Sequence, residues 1–276
     1  MPGEQPDELT VVGIGMIGAS FALACRSRFA RISAVDPNVA NLAAAEAAGI
    51  IDEALEAVPA DAAAVLIACP SDRIAGWVLE LAEHPGIVFD AGSVKGTILE
   101  EIVQQRGSLP RNFVPSHPIA GLERSGPEAA DAGLFQGRKA IITPTAETDV
   151  ARQAQVADWW SAAGARVEIM DPAEHDAVYA RTSHLPHLLA FAYLLGIERD
   201  DLVHTGGGFR DFSRIGGSDP VMWSGVFERN RSALLAGLDR FEADLADFRA
   251  AIDAGDTDRC RSLIAAARAR REALES

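Results

Sequence analysis

The feature that most constrains this chain is a change of rhythm near residue 170. Before it, short runs rich in Val, Ile, Leu and Phe alternate with alanine-rich helical stretches; after it, the β pattern stops. The apolar runs fall at 9–13, 32–36, 63–68 and 87–90, with shorter ones at 112–114, 139–143 and 166–169. Helical stretches at 17–28, 38–48 and 74–83 lie between them. Short apolar strands joined by helices of ~10 residues imply right-handed crossovers and a mostly parallel sheet covered on both faces. The expected fold class is therefore α/β. A doubly wound sheet occupies residues 1–171 and an all-α domain residues 172–276, with the boundary at Asp171-Pro172. In the second part, 173–197 reads as one long helix kinked at Pro186, which has no amide proton to give. A glycine-rich loop, Thr205-Gly206-Gly207-Gly208, breaks the chain before helices over 221–253 and 257–274.

Composition narrows the function classes. With 48% hydrophobic and 24% charged residues the chain has an ordinary globular balance, and no run approaches the ~20 apolar residues of a membrane span. A net charge of −15 argues against nucleic acid, whose binding draws on clustered Lys and Arg. The one dense basic run, Arg268-Ala269-Arg270-Arg271, alternates with alanine on a helix and reads as a solvated face. The acidic start lacks the basic end and apolar run of a secretory signal. Three scattered cysteines (Cys25, Cys69, Cys260) make neither a disulfide framework nor a cysteine-rich zinc site. The expected location is the cytoplasm.

Chemistry begins at the turn after the first strand. Gly13-Ile14-Gly15-Met16-Ile17-Gly18 has the G-x-G-x-x-G spacing, and it follows an apolar run and opens a helix. In a dinucleotide site the first glycine makes the turn and the second admits the pyrophosphate. The third lets helix pack on strand, and the helix start at Met16 and Ile17 offers N–H groups to the phosphates. Asp36 ends the second strand, where a carboxylate bonds ribose hydroxyls and repels a 2′-phosphate, so NAD is expected over NADP. Ligands in such sheets lie beyond the carboxyl ends of the strands. Two turns are placed there, Cys69-Pro70-Ser71-Asp72 and Asp90-Ala91-Gly92-Ser93-Val94-Lys95. Pro70 and Ser71 are read as cofactor-facing. Ser93 either reaches substrate and nicotinamide or caps a helix over 94–105.

His117 lies between two prolines in Pro115-Ser116-His117-Pro118, a setting that suits a fixed proton acceptor. An alcohol oxidation needs such a base for the hydroxyl proton. His184 and His187 stand three residues apart on one side of a helix, and no carboxylate motif nearby completes a metal site; core hydrogen bonding or a substrate role remains. Arg210 and Arg214 leave the glycine-rich loop, and arginine forks recognise carboxylates. Arg210 with Asp211 also reads as a local surface pair.

Together, residues 12–20, Gly92-Ser93-Val94-Lys95, 116–126, 183–187 and 206–223 resemble the prephenate/arogenate dehydrogenases of tyrosine biosynthesis, over nearly the whole chain. The resemblance implies a Rossmann domain followed by a helical domain through which two subunits form a homodimer. It also implies NAD-dependent oxidative decarboxylation of prephenate to 4-hydroxyphenylpyruvate, arogenate to tyrosine, or both. Residue by residue, His117 matches the histidine that takes the ring hydroxyl proton, and Ser93 the serine that orients that hydroxyl. Arg214 matches the arginine that holds a substrate carboxylate, while Glu123, His187 and Trp223 match active-site or dimer-proximal positions of less defined role. A 4-amino analogue as substrate, or a catalytically silent NAD-binding homologue, are the alternatives. Dehydrogenases of the 6-phosphogluconate or 3-hydroxyacid type use a lysine-centred site in the helical half, and residues 172–250 contain no lysine. Neither a fused mutase segment nor a C-terminal regulatory domain is expected, so tyrosine feedback, if present, would act at the active site.

Overall fold

The computed structural model describes residues 8–121 and 124–274. Its strands and helices alternate as β1 (Glu8–Val12), α1 (Met16–Ala24), β2 (Arg31–Val35), α2 (Val39–Ala47), β3 (Glu53–Ala54), β4 (Ala64–Ile67), α3 (Ser71–Glu80), β5 (Ile87–Asp90), α4 (Gly96–Arg106) and β6 (Phe113–Val114). The six strands form one parallel sheet in the order β3-β2-β1-β4-β5-β6. Successive residues alternate between two cores. Leu9, Val11, Leu66 and Phe89 join one cluster with Phe21, Trp159 and Trp160; Val12, Val65, Ile67 and Val88 join the other with Ile74, Val78 and Ile98. Both faces are therefore covered, as a doubly wound sheet requires. The chain leaves β1 toward β2 and later returns to β4 on the other side, so the crevice of the topological switch opens beyond Val12 and Ile67.

The runs at 139–143 and 166–169 leave the main sheet and join a strand that the sequence reading lacks. β7 (Ser116–Pro118), β8 (Lys139–Ile142) and β9 (Arg166–Ile169) form a separate three-stranded sheet, with β7 antiparallel to β8. The change of sheet falls at Pro115, between β6 and β7. Without an N–H, proline cannot continue a ladder, and it is the natural place for the strand to end. The two-residue β3, paired with Ser33 and Ala34, has no pattern of its own and is absent from the sequence reading.

α5 (Val150–Ala162) covers one sheet face, and Asp149 caps it through Ala151 and Arg152 N–H. Beyond β9, Asp171 caps α6 (Pro172–Tyr179), with Pro172 in the first turn, where its missing N–H costs nothing. The long helix expected over 173–197 is divided. A π-helical segment, Ala180–His184, joins α6 to α7 (Leu185–Leu195), with Pro186 in the first turn of α7. Leu185 N–H donates to Ala180 O, and this wider turn accommodates the proline that a kink was expected to absorb.

The expected glycine loop is also shorter than read. Gly206 is the N-cap of α8 (Gly207–Ser213), so Arg210 stands on a helix, followed by a 3-10 turn over Arg214–Gly217. The run 221–253 is two helices, α9 (Pro220–Arg229) and α10 (Arg231–Asp253), with α11 (Thr257–Glu272) after them. They part at Asn230, whose side chain turns inward to donate to Asp176 O. By compactness the chain divides between Asn230 and Arg231, with α6–α9 belonging to the first unit. Among the described residues no helix is long and apolar enough to cross a membrane.

Candidate active site

The glycine turn has the geometry that its spacing predicts. Gly13 has φ +93°, and a Cβ there would lie 2.8 Å from the Ala68 carbonyl. A Cβ on Gly18 would collide with the Gly13 carbonyl oxygen and approach Val11 Cγ1 to 2.8 Å. These two glycines are fixed by the protein's own packing. Gly15 is different: a Cβ there meets nothing within 4 Å, and it begins α1 without a side-chain cap. The helix start with its N–H groups, at Met16 and Ile17, thus faces open space, which fits a bound pyrophosphate. Asp36 follows β2 and its carboxylate accepts from Ile14 N–H (2.9 Å) and Asn38 N–H (2.8 Å). It is therefore also a brace of the turn, a second duty the sequence did not show. Pro70 is the N-cap of α3 and Ser71 its first residue, beyond the carboxyl end of β4. Burial pushes the neighbouring Cys69 thiol up to about 12, so it is no nucleophile.

The next strand end builds the chemical centre. Asp90 closes β5, and its buried carboxylate accepts from Gly92 N–H, Ser116 N–H and the Lys95 ammonium. Lys95 is 1% exposed and donates also to Ser116 O (2.7 Å). Ser116 Oγ accepts from Trp160 Nε1 (3.1 Å). The start of β7 is thereby locked to the end of β5, and the next residue is His117. Its imidazole is buried; Nδ1 lies 2.8 Å from His175 Nε2, and the Tyr179 ring stands at 5.3 Å. Burial, with His175, Lys95 and His184 around it, holds His117 well below the ordinary imidazole value. Burial thus favours the neutral form of His117.

His175 and Asp176, both on α6, were absent from the sequence reading. His175 Nδ1 is 2.8 Å from Asp176 Oδ1, and the same carboxylate accepts from Lys95 N–H (2.9 Å) and Gly96 N–H (2.7 Å). Asp176 therefore caps α4. The helix begins at Gly96, not 94, and the capping role left open for Ser93 is filled from another element. Ser93 sits between two pinned residues, Gly92 and Lys95, and among the described residues its hydroxyl has no hydrogen-bond partner. Burial works against the Asp176 carboxylate, but the bonds from His175, Lys95 and Gly96 hold it below the usual range. His175 is itself lowered, by burial, against the pull of Asp176.

Ser93's neighbour Val94 is fully buried and packs with Trp223 and Val226 of α9. Trp223 stacks on His187 at 3.6 Å between ring centroids. His187 Nδ1 donates to Ser183 O (2.8 Å). Among the described residues the buried Trp223 Nε1 has no acceptor. His184 is spent differently: its Nδ1 accepts from Asn230 Nδ2 at 3.0 Å. The 91–95 loop thus meets Trp223, and through it His187, at Val94, and meets Ser116, next to His117, at Lys95. Arg210 and Arg214 are exposed on α8 and the following turn, which packs on α7 through Phe209, Phe212 and Tyr193. Glu123 lies outside the described residues.

The prephenate dehydrogenase nucleotide-binding domain matches residues 21–169, and the dimerization domain of the same enzyme matches 171–266. The chain belongs to the prephenate dehydrogenase family. A cyclohexadienyl dehydrogenase of Zymomonas mobilis is 33% identical over 91% of this chain and 90% of its own. A Bacillus subtilis prephenate dehydrogenase is 30% identical, over 92% of this chain and 72% of its own. Among solved structures, the Aquifex aeolicus prephenate dehydrogenase in complex with hydroxyphenyl propionate and NAD+ is 31% identical, with a TM-score of 0.89 over 99% of both chains. The family's two domain matches meet near Asp171-Pro172, where α6 begins.

Proposed function

We propose that this dehydrogenase acts on prephenate, arogenate or both, and that His117 is the base that takes the ring hydroxyl proton. The protein is an NAD-dependent oxidoreductase of tyrosine biosynthesis. One observation carries the assignment of the base: a buried imidazole just beyond the Asp90 strand end, with Nδ1 engaged by His175 and the neutral form favoured by burial. The nicotinamide supplies the hydride acceptor.

Ser93 orients the substrate hydroxyl and His117 removes its proton as hydride leaves the same carbon. The ring carboxylate then departs as carbon dioxide. Its bonding pair flows through the ring to the oxygen, which recovers the proton from His117 as the ring becomes aromatic. Protons balance across the cycle, and aromatisation supplies the driving force, so the protein's task is placement. Gly13, Gly15, Gly18, Met16, Ile17, Pro70, Ser71 and Asp36 hold the dinucleotide. The buried Trp223 N–H, which has no acceptor among the described residues, is a polar atom suited to a substrate oxygen, and His187, stacked on Trp223, takes part in substrate binding. Arg214, assisted by Arg210, holds a carboxylate, and Glu123 takes part in substrate binding.

Residues 172–276 serve as substrate and dimerisation domain. The family match over 171–266 supports this, as do the exposed Leu235, Leu245, Ile252 and Ile264 on α10 and α11. A homodimer in the cytoplasm, without nucleic-acid or membrane partners, completes the reading, and sedimentation should give twice 29.2 kDa.

Steady-state rates of NADH formation with prephenate and arogenate, on wild type, His117→Asn and Arg214→Ala, test the assignment. His117→Asn should lower kcat by ~10²–10⁴-fold with little change in KM. Arg214→Ala should raise KM about ten- to hundredfold, because the carboxylate it holds is present in ground and transition states alike. Wild-type kcat in His117→Asn would remove His117 from the mechanism.

A further inference from the structure

We propose that Asp176, acting through His175, dictates which nitrogen of His117 carries its proton, leaving Nε2 as the bare acceptor that faces the substrate. The inference rests on His117 being the base. Two hydrogen bonds determine it. The Asp176 carboxylate can only accept, so the 2.8 Å contact places a proton on His175 Nδ1. A neutral His175 then has a lone pair at Nε2. That atom lies 2.8 Å from His117 Nδ1, so the proton between the two rings belongs to His117 Nδ1. A neutral His117 has no second proton, and Nε2 is left bare.

The order cannot reverse without turning a lone pair of His175 toward the carboxylate. Asp176 is fixed in its ionised form from the other side, by the N–H groups of Lys95 and Gly96 at the start of the 11-residue α4. Residue 96 must be small for this, since a Cβ on Gly96 would stand 2.9 Å from Asp176 Oδ2. Asn230 Nδ2 holds the Asp176 carbonyl at 2.9 Å. Asp90, the other carboxylate near the imidazole pair, is taken up by Lys95, Gly92 N–H and Ser116 N–H, and the groups that remain are cationic or neutral. Lys95 is tied to Asp90 and Ser116, His184 is bonded to Asn230, and Tyr179 lies with its ring against both imidazoles. Asp176 is thus the carboxylate at the end of the chain, and His175 is the link. When His117 takes the substrate proton, its Nδ1–H is already aimed at His175, and the Asp176 charge stabilises the imidazolium. Asp176 and His175 are positioning residues; neither needs to touch substrate.

The experiment has two arms on the full-length protein. In the first, long-range proton–nitrogen correlation spectra of protein with 15N-labelled histidine report the tautomer of each of the six imidazoles. His117 is identified by its disappearance in His117→Asn. Wild type should show His117 protonated at Nδ1 and bare at Nε2. The reverse tautomer overturns the proposal.

In the second arm, kcat and KM are measured for Asp176→Asn, His175→Leu and His175→Gln, alone and combined with His117→Asn, with NAD affinity and melting temperature recorded for each. Loss of the orienting carboxylate in a serine-protease triad costs about 10⁴-fold through a wrong tautomer. Here Asp176→Asn and His175→Leu should lower kcat at least tenfold with KM within about threefold. His175→Gln, whose amide oxygen accepts from His117 Nδ1–H, should recover part of the loss. The effect of each should vanish in the His117→Asn background. Single-variant kcat values within threefold of wild type, or losses that persist undiminished without His117, overturn the relay. Wild-type kcat in His117→Asn would instead overturn the choice of base, and the tautomer measurement stands apart from that result.

Discussion

Acid should destabilise this protein through its buried histidines, and His184 allows the size of the effect to be worked out. Its side chain is 1% exposed, and its Nδ1 accepts from Asn230 Nδ2, so protonation there would set two donors face to face. Burial is the larger cause, partly offset by Asp176 and reinforced by His175 and His187, and together they push His184 down to about 4. In the unfolded chain it titrates near 6.5. The folded value is the lower one, so the unfolded state binds the proton first. The stabilising contribution is fully present above pH 6.5 and is lost as pH falls from there toward 4. At about 1.4 kcal/mol per pH unit, the loss from this residue is about 2 kcal/mol at pH 5 and about 3 kcal/mol by pH 4. His117 and His175, also lowered, add to it with the same sign. His184→Asn keeps an acceptor for Asn230 and removes the titration. Urea unfolding followed by tryptophan fluorescence at pH 7.5 and 5.0, at one protein concentration, should show wild type losing about 2 kcal/mol more than the variant across that interval. Equal losses would refute the reasoning, because they would mean that His184 is solvated enough to titrate normally.

The glycine turn gives a second, paired test. Gly18→Ala drives a methyl into the Gly13 carbonyl and should lower the melting temperature by the several degrees that 1–3 kcal/mol of overpacking brings. Gly15→Ala meets only open space, so its melting temperature should stay at the wild-type value while NAD affinity, measured by calorimetric titration, falls at least tenfold. Asp36→Asn retains an oxygen for Ile14 N–H and removes the charge that repels a 2′-phosphate. The ratio of kcat/KM for NADP over NAD should therefore rise about tenfold or more, and an unchanged ratio would detach Asp36 from the ribose.

The sequence shows most clearly those features whose cause is local. Alternation of Leu9, Val11 and Val12 between two cores is a period of two written into neighbouring residues, and the Gly13–Gly18 spacing is a turn and its helix. Pro115 ends the run at 112–114 and so carries a signal for the change of sheet, but the strand after it, Ser116–Pro118, has no apolar pattern and reads as a loop that stiffens His117. The three glycines at 206–208 were read as a loop, yet a helix tolerates glycine at its start, and α8 opens there. Asn230 looked like an ordinary helical residue because the pull on its side chain comes from Asp176 and His184, 54 and 46 residues away.

His175 and Asp176 were missed for a deeper reason. In Pro172-Ala173-Glu174-His175-Asp176 they read as the polar first turns of a surface helix, and Asp171 already fills the N-cap, so nothing local asks for a partner. Their meaning comes from docking α6 against the start of α4, where free N–H groups need an acceptor and Gly96 leaves room for one. The same docking converts His117 from a stiff loop residue into a base of defined tautomer. A catalytic histidine can be suspected from its own neighbours in sequence, but the nitrogen it uses is decided by a carboxylate 59 residues away that serves first as a helix cap. Structural and chemical duties therefore fall on one side chain, and the test of Asp176→Asn must read kcat and melting temperature separately to tell them apart.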